Sequence, residues 1–198
     1  IPTCHKIYGD AMAVLAGDAL LTEAFRCFSD NASVPGISGV AVLDVIKKLS
    51  EACGSRGMVG GQALDIQSAR SNIDEKTLYY ICQNKTGALI SASIWAGCRL
   101  AEASADILEL MLSFGEKIGL LFQIVDDILD VTGNEEILGK PVGSDLKNMK
   151  NTFPTIFGYD ESQRLMKHIA EDAKDQLSGL NNADFFLEMV DFILTRQS

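Results

Sequence analysis

Positive charge is scarce in this sequence relative to what opposes it: 17 Lys and Arg stand against 27 Asp and Glu, a net charge of −10 over 198 residues. That deficit argues against nucleic acid or an anionic membrane surface as a partner. It also means that an anionic small molecule could be held only with metal ions and a few well-placed lysines. Proline is rare, at 4 residues, while hydrophobic residues make up 47%, which excludes a disordered chain and fits a globular, mostly helical one. The five cysteines, Cys4, Cys27, Cys53, Cys82 and Cys98, are odd in number and widely spaced, with no CxxC among them. A disulfide framework and a zinc site are thereby disfavoured, and reduced thiols in a cytosolic setting are expected. No apolar run reaches the roughly 18 residues of a membrane span; the uncharged stretch from Thr86 to Cys98 is broken by small and polar residues. No signal peptide is visible. The first residue is Ile1, so the expectation is that the chain was processed or that residues upstream are missing.

What is there is helical periodicity. Met12, Leu15, Ala16, Ala19, Leu20 and Phe25 recur at helix spacing between about Asp10 and Phe28. Pro35 and two glycines make 31–39 a loop, and a second helix is expected from about Val40 to Cys53. Gly54, Gly57, Gly60 and Gly61 then crowd before Gln62. Glycine costs about 1 kcal/mol inside a helix, so this crowding points to close approach of helices or ligand. Asp74 is placed to cap a helix running from Glu75 beyond Trp95, and Ser104 to cap the next, which ends near Thr132. Residues 134–152 read as a long loop, followed by a short helix from Phe153 and two amphipathic ones near 161–177 and 184–195. No repeat and no convincing strand is present. The expectation is a single all-α domain over 1–198.

Within the strongly apolar run from Ala105 to Val131 lies Phe122-Gln123-Ile124-Val125-Asp126-Asp127-Ile128-Leu129-Asp130. On a helix, carboxylates three and four residues apart share one face, and like charges so placed destabilise it by a few tenths of a kcal/mol, roughly. The surrounding Leu120, Leu121, Ile124, Val125, Ile128 and Leu129 mark that surface as buried. Clustered, partly buried carboxylates need a cation. A divalent metal with hard oxygen ligands is the candidate, and Mg²⁺ commonly serves phosphate chemistry in this way. The alternative is a solvated acidic helix edge; the glycine and spacing of an EF-hand loop are absent.

Four further islands stand out: Gly60-Gly61-Gln62-Ala63-Leu64-Asp65, Lys85-Thr86-Gly87-Ala88-Leu89, Gly139-Lys140-Pro141-Val142-Gly143-Ser144-Asp145, and Lys150-Asn151-Thr152-Phe153-Pro154. Each alone has an ordinary explanation, since a lysine in a helix is usually solvated and a glycine-rich loop is usually a turn. His5 reads as a loop-fixing residue and His168 as a solvated helix residue. Tyr79, Tyr80 and Trp95 read as core, Asp18 as structural, and Asp65 could share the face of Gln62.

In this order the islands and the FQxxDDxxD element resemble the trans-prenyl diphosphate synthases, nearest to the short-chain farnesyl and geranylgeranyl group of bacterial and plastid type. The resemblance runs from Pro2-Thr3-Cys4-His5 through the islands to Arg196. It implies an isoprenoid-synthase-type all-α bundle around a deep central cavity. It also implies an enzyme that condenses isopentenyl diphosphate head to tail with an allylic diphosphate such as dimethylallyl, geranyl or farnesyl diphosphate. Asp126, Asp127 and Asp130 match the second of two aspartate-rich motifs that hold three Mg²⁺ ions, Asp126 as the nearest ligand. Lys85, Lys140 and Lys150 match residues that hold the allylic diphosphate. Gln62 and Thr86 match groups that face the developing carbocation, and Gln123 matches a neighbour that positions substrate. The resemblance further implies a homodimer, with the faces around Ile90, Ile94 and Leu108 as candidates for its contact, and a cytoplasmic or, in a plant, plastid location.

The chemistry suits these residue types. Ionising an allylic C–O bond requires stabilisation of the departing diphosphate by preorganised cations. The cation left behind needs neutral dipoles rather than a nucleophile, in a cavity that excludes water. The family's first aspartate-rich motif, the arginine pair after it and the isopentenyl diphosphate ligands have no counterpart in this sequence, so it is expected to be the C-terminal two-thirds of a prenyl synthase fold. Two classes stay open: the C-terminal part of a prenyltransferase, and a non-catalytic subunit or inactive fragment of a heteromeric synthase. The latter usually lacks the second aspartate motif, which is intact here. A class I terpene cyclase would carry an Asn/Ser/Glu second motif that is not found, and a plain helical scaffold is the remaining possibility.

Overall fold

A computed structural model describes residues 2–69, 71–132 and 150–196. The described residues form helices joined by turns, with no strand among them. In chain order these are α1 (Cys4–Tyr8), α2 (Asp10–Asp30), α3 (Gly39–Cys53), α4 (Met58–Ser68), α5 (Glu75–Cys82), α6 (Ala88–Leu100), α7 (Ala105–Thr132), α8 (Phe153–Phe157), α9 (Tyr159–Gln176) and α10 (Asp184–Thr195). The chain is all-α, as its periodicity and the resemblance both imply.

Two expectations needed adjustment. The loop after α2 begins with one turn of 3₁₀ helix, Asn31–Ser33. The helix expected from Glu75 past Trp95 is two α-helices joined by a π-turn over Gln83–Gly87. Its start is as the sequence implies: the Asp74 carboxylate accepts from the Thr77 amide at 2.8 Å, satisfying an amide that has no partner within the helix. Ser104 plays the same part before α7, its hydroxyl accepting from the Ile107 amide at 3.4 Å.

The longest helix, α7, is the axis of the main core. Phe114, Leu121 and Ile124 on it have no exposed surface, and Met111 and Ile118 have 1–2%. They pack with Leu78 of α5, Phe153 of α8, Ile169, Ala170 and Ala173 of α9, and Val190 and Ile193 of α10. A second cluster joins α3 to α6 through Val45, Leu49, Ala52, Ala92 and Ala96, and the Arg99–Asp44 pair at 2.9 Å ties the same helices at their surface. Ile90 and Ile94 pack against the main core. The large apolar side chains left in the open are most numerous on α2, with others on α1, α3, α4 and α10.

Glycine sets the closest approaches. A Cβ on Gly119 of α7 would stand 2.4 Å from the Gly87 Cα, and one on Gly61 of α4 would stand 2.3 Å from the Lys85 backbone nitrogen. No real Cβ tolerates such contacts, so α4, the π-turn and α7 meet backbone to backbone. The glycine crowding before Gln62 has this meaning, at least at Gly61. Among the described residues, no helix is long and apolar enough to cross a membrane.

Candidate active site

The three close-packed elements form the wall of a cavity of about 190 Å³, lined by Asp65, Leu78, Ile81, Cys82, Lys85, Gln123, Asp126, Asp127, Lys150, Asn151 and Thr152. Each group arrives for a local reason. The π-turn adds a residue to the helical repeat just where Lys85 and Thr86 lie, and such insertions recur at functional sites. On the opposite wall, Gln123, Asp126 and Asp127 occupy one side of the last turns of α7.

The Lys150-to-Pro154 segment closes the third side by means of its own sequence. Thr152 and Thr155 form a capping box for α8, with Pro154 in its first turn. The Phe153 ring is fully buried and meets Tyr79 edge-on at 5.5 Å. The Asn151 amide donates to the Ser68 carbonyl at the end of α4, at 3.1 Å. Lys150 is thereby brought to the cavity that Lys85 lines from the far wall.

The three aspartates do not share one environment. Asp126 faces the cavity with its side chain 40% exposed. Asp127 is 3% exposed and Asp130 1%. Both oxygens of Asp127 accept hydrogen bonds, from Gln123 Nε2 at 2.8 Å and from the Phe153 amide at 2.9 Å. Asp130 is not among the residues lining the cavity. The helical repeat that gathers the three on one side also spreads them by up to ~100°, and the turn is enough to separate open from buried.

A hydrogen-bonded line runs behind the cavity wall from Thr86, which is not itself among the lining residues, to Gln123 and Asp127, which are. The Thr86 hydroxyl donates to Gln123 Oε1 at 3.1 Å, and Gln123 Nε2 donates onward to Asp127. The acceptor of the amide is thereby aimed at Thr86, and the hydroxyl, its proton committed, has only lone pairs left to offer. Lys85 pairs with Asp65 at 2.6 Å. Asp65 thus lines the cavity by way of an ion pair across 20 positions that no spacing rule signals. Gln62, one turn before Asp65, is half-buried and does not line this cavity. Lys140 lies outside the described residues. Cys82 is in the wall; burial pushes its thiol far above the ordinary range, Asp127 and Asp65 add to this, and Lys85 partly opposes it.

Arg196, just past α10, was noted in the sequence only for where it falls. Its side chain is 9% exposed and stands 3.6 Å from Asp126 Oδ1. Burial lowers its guanidinium from the usual value while Asp126 raises it.

No three His, Cys, Asp or Glu side chains among the described residues converge to enclose a metal ion by themselves. Mg²⁺ characteristically takes one or two carboxylates and completes its shell with water and phosphate. One open carboxylate, Asp126, beside two lysines suits a cation shared with a phosphate ligand, and the residues fit that group.

Comparison with known proteins places the chain. The family model described as polyprenyl synthetase matches residues 1–182. A dimethylallyltranstransferase of Fischerella ambigua is 39% identical over 98% of this chain and 56% of its own length. A geranylgeranyl diphosphate synthase of Cyanophora paradoxa is 37% identical over 100% of this chain and 66% of its own. Among solved structures, an FPP/GFPP synthase from Zymomonas mobilis superposes with a TM-score of 0.84 at 31% identity, covering 97% of this chain and 64% of that one. A geranyltransferase from Helicobacter pylori, complexed with magnesium and isoprenyl diphosphate, gives 0.82 at 32% identity, with 98% and 63% covered. The chain thus spans between 56% and 66% of the length of these curated relatives.

Proposed function

This chain belongs to the polyprenyl synthetase family, and we propose from that premise that its cavity is the diphosphate-binding side of a prenyltransferase active site. The reaction is the Mg²⁺-dependent condensation of isopentenyl diphosphate with an allylic diphosphate to give a longer all-trans prenyl diphosphate. The observation that carries the proposal is the meeting of Asp126, Lys85 and Lys150 in one cavity lined also by Gln123 and Asp127. It joins the two charges needed to hold a metal-complexed diphosphate in a chain whose net charge would otherwise repel one.

In this reading Asp126 is the ligand through which the protein holds metal, and Mg²⁺, when bound, supplies the positive charge that stabilises the leaving diphosphate. Three ions are expected for the complete protein, by the resemblance. Lys85 and Lys150 bind the diphosphate oxygens by charge-assisted hydrogen bonds, and Lys140 is proposed as a third such group. For Lys85 this means exchanging Asp65 for the substrate. Thr86 turns its lone pairs, not its proton, to the substrate, which suits a neighbour of a developing carbocation. Gln123 keeps Thr86 in that state, and Gln62 is proposed as a second neutral dipole. Asp127 and Asp130 act from within the fold, Asp127 by fixing Gln123 and the start of α8. The apolar walls Leu78 and Ile81 exclude water from a cation that water would trap.

A homodimer is proposed on α2, where Met12, Val14, Leu15, Leu20 and Leu21 are all about half or more exposed. This proposal prefers α2 to the faces around Ile90, Ile94 and Leu108, of which Ile90 and Ile94 pack against the main core. A cytoplasmic or plastid location belongs to the same proposal.

The test is incorporation of radiolabelled isopentenyl diphosphate into prenyl product with Mg²⁺ by the complete protein, wild type against Asp126→Ala. Loss of a metal ligand predicts a fall of about 10²-fold or more in kcat with the fold retained. Near-normal turnover by the variant at ordinary Mg²⁺ would contradict the assignment.

A further inference from the structure

Arg196 carries more structure than the end of a helix requires. Its guanidinium carbon lies 3.9 Å from the centroid of the Phe122 ring. Its terminal nitrogen donates to the Phe122 carbonyl at 2.9 Å, across 74 positions of sequence. The same nitrogen stands 3.6 Å from Asp126 Oδ1. Its Nε is buried with no hydrogen-bond partner. A flexible, strongly cationic side chain has thus been taken out of water and left one donor short. That costs free energy, so the placement needs a reason beyond packing.

Position supplies one. The fixed points of the guanidinium, ring and carbonyl of Phe122, are one helical turn before Asp126 on α7. Arg196 does not line the cavity, whereas Asp126 does. The cation therefore meets the carboxylate from outside the cavity lining, with Oδ1 as the oxygen nearest to it. A planar guanidinium locked by stacking and by a carbonyl is a rigid reference in a way that an ammonium is not.

We propose that Arg196 is a positioning residue for Asp126: it holds Oδ1 from outside the cavity lining so that the other oxygen is presented to a divalent cation in the cavity. This rests on the prenyltransferase reading of the cavity, and it adds a residue from the far end of the described chain to the metal-binding apparatus. Groups that orient a ligand in this way typically change metal affinity about 10–100-fold when removed.

The test reads metal binding directly. Mn²⁺, as a paramagnetic substitute for Mg²⁺, is titrated into the purified protein with inorganic diphosphate, and free Mn²⁺ is followed by electron paramagnetic resonance. Arg196→Leu, which keeps apolar contact with Phe122, is expected to weaken Mn²⁺ binding about 10-fold or more. Arg196→Lys should recover part of that loss, because it returns charge without the fork. In turnover, Arg196→Leu should raise the half-saturating Mg²⁺ concentration while kcat at saturating Mg²⁺ stays close to wild type. Should Arg196→Leu fail to fold, Arg196→Lys and Arg196→Gln carry the same comparison. Wild-type Mn²⁺ affinity in the Arg196 variants, alongside lost affinity in Asp126→Asn, would overturn the inference and leave Arg196 a tether for α10. Wild-type affinity in Asp126→Asn itself would overturn the metal site, and the inference with it.

Discussion

α2 and α7 are both long and both rich in apolar residues, yet α2 has no buried residue among its 21 and α7 has eleven among its 28. Composition does not separate them; neighbours do. Around α7 stand α5, α6, α8, α9 and α10, whereas α2 touches α1, the 3₁₀ turn and α3. Met12, Val14, Leu15, Leu20 and Leu21 of α2 together make an open apolar surface, of the kind that marks an interaction site rather than a finished exterior. The lesson is that helical periodicity tells where a helix has an apolar side, and says nothing about whether the chain itself covers it.

The contrast can be broken by substitution. The largest effect is expected in α7: Phe114→Ala removes a fully buried ring and should cost about 3–5 kcal/mol, lowering the thermal midpoint by about 10 °C for a chain of this size. Leu20→Ala, at a position 71% exposed in α2, should change the stability of the single chain by less than about 0.5 kcal/mol. Leu20→Glu should convert dimer to monomer in sedimentation velocity. A dimer that survives it would remove α2 as the contact.

A smaller effect, of opposite sign in the two helices, follows from glycine. Gly119→Ala forces a Cβ to 2.4 Å from the Gly87 backbone and should destabilise by about 1–3 kcal/mol. Gly17→Ala meets nothing within 4 Å and should stabilise by about 0.5–1 kcal/mol, through helix propensity alone. Urea denaturation of both variants checks the pair, and the same sign for both would contradict the contrast.

The mildest probe is thiol labelling under native conditions. Cys4 and Cys27 are exposed and should react within the mixing of reagent. Cys82 is buried, and its thiol is held protonated well above the ordinary range by burial. It should label only as fast as the fold opens, and raising the pH to about 9 should not expose it, since only the thiolate reacts. Mass spectrometry of time-quenched samples reads both.

These two helices also show how much of the fold the sequence discloses. The spans of α2, α3, α7, α9 and α10 were legible within a few residues because the 3.6-residue repeat and a cap such as Ser104 are local, whereas α1 and the glycine-rich α4 were not read as helices. The close approach at Gly61 was legible because glycine there has no other purpose. The π-turn was not: an inserted residue in the middle of an apolar helix leaves the pattern on both sides intact. In the site, the aspartates and Lys85, Thr86, Gln123 and Lys150 were legible as types in sequence. Their division of labour was not, because it depends on contacts between distant segments: Asp65 with Lys85, the Phe153 amide with Asp127, Arg196 with Asp126. Two adjacent aspartates look alike in sequence, and only packing makes one open and the other buried.

That division is the central claim, and one measurement tests it most directly: thermal melting of Asp126→Asn and Asp127→Asn, each with and without Mg²⁺ and inorganic diphosphate. Asp127→Asn places an amide donor against the donors of Gln123 or Phe153 and forfeits charged hydrogen bonds worth about 1.5–3 kcal/mol each. It should melt several degrees below wild type without ligand. Asp126→Asn should melt close to wild type without ligand and lose most of the stabilisation that Mg²⁺ with diphosphate confers on wild type. The reverse pattern, with Asp126→Asn unstable and Asp127→Asn stable but blind to ligand, would contradict the account.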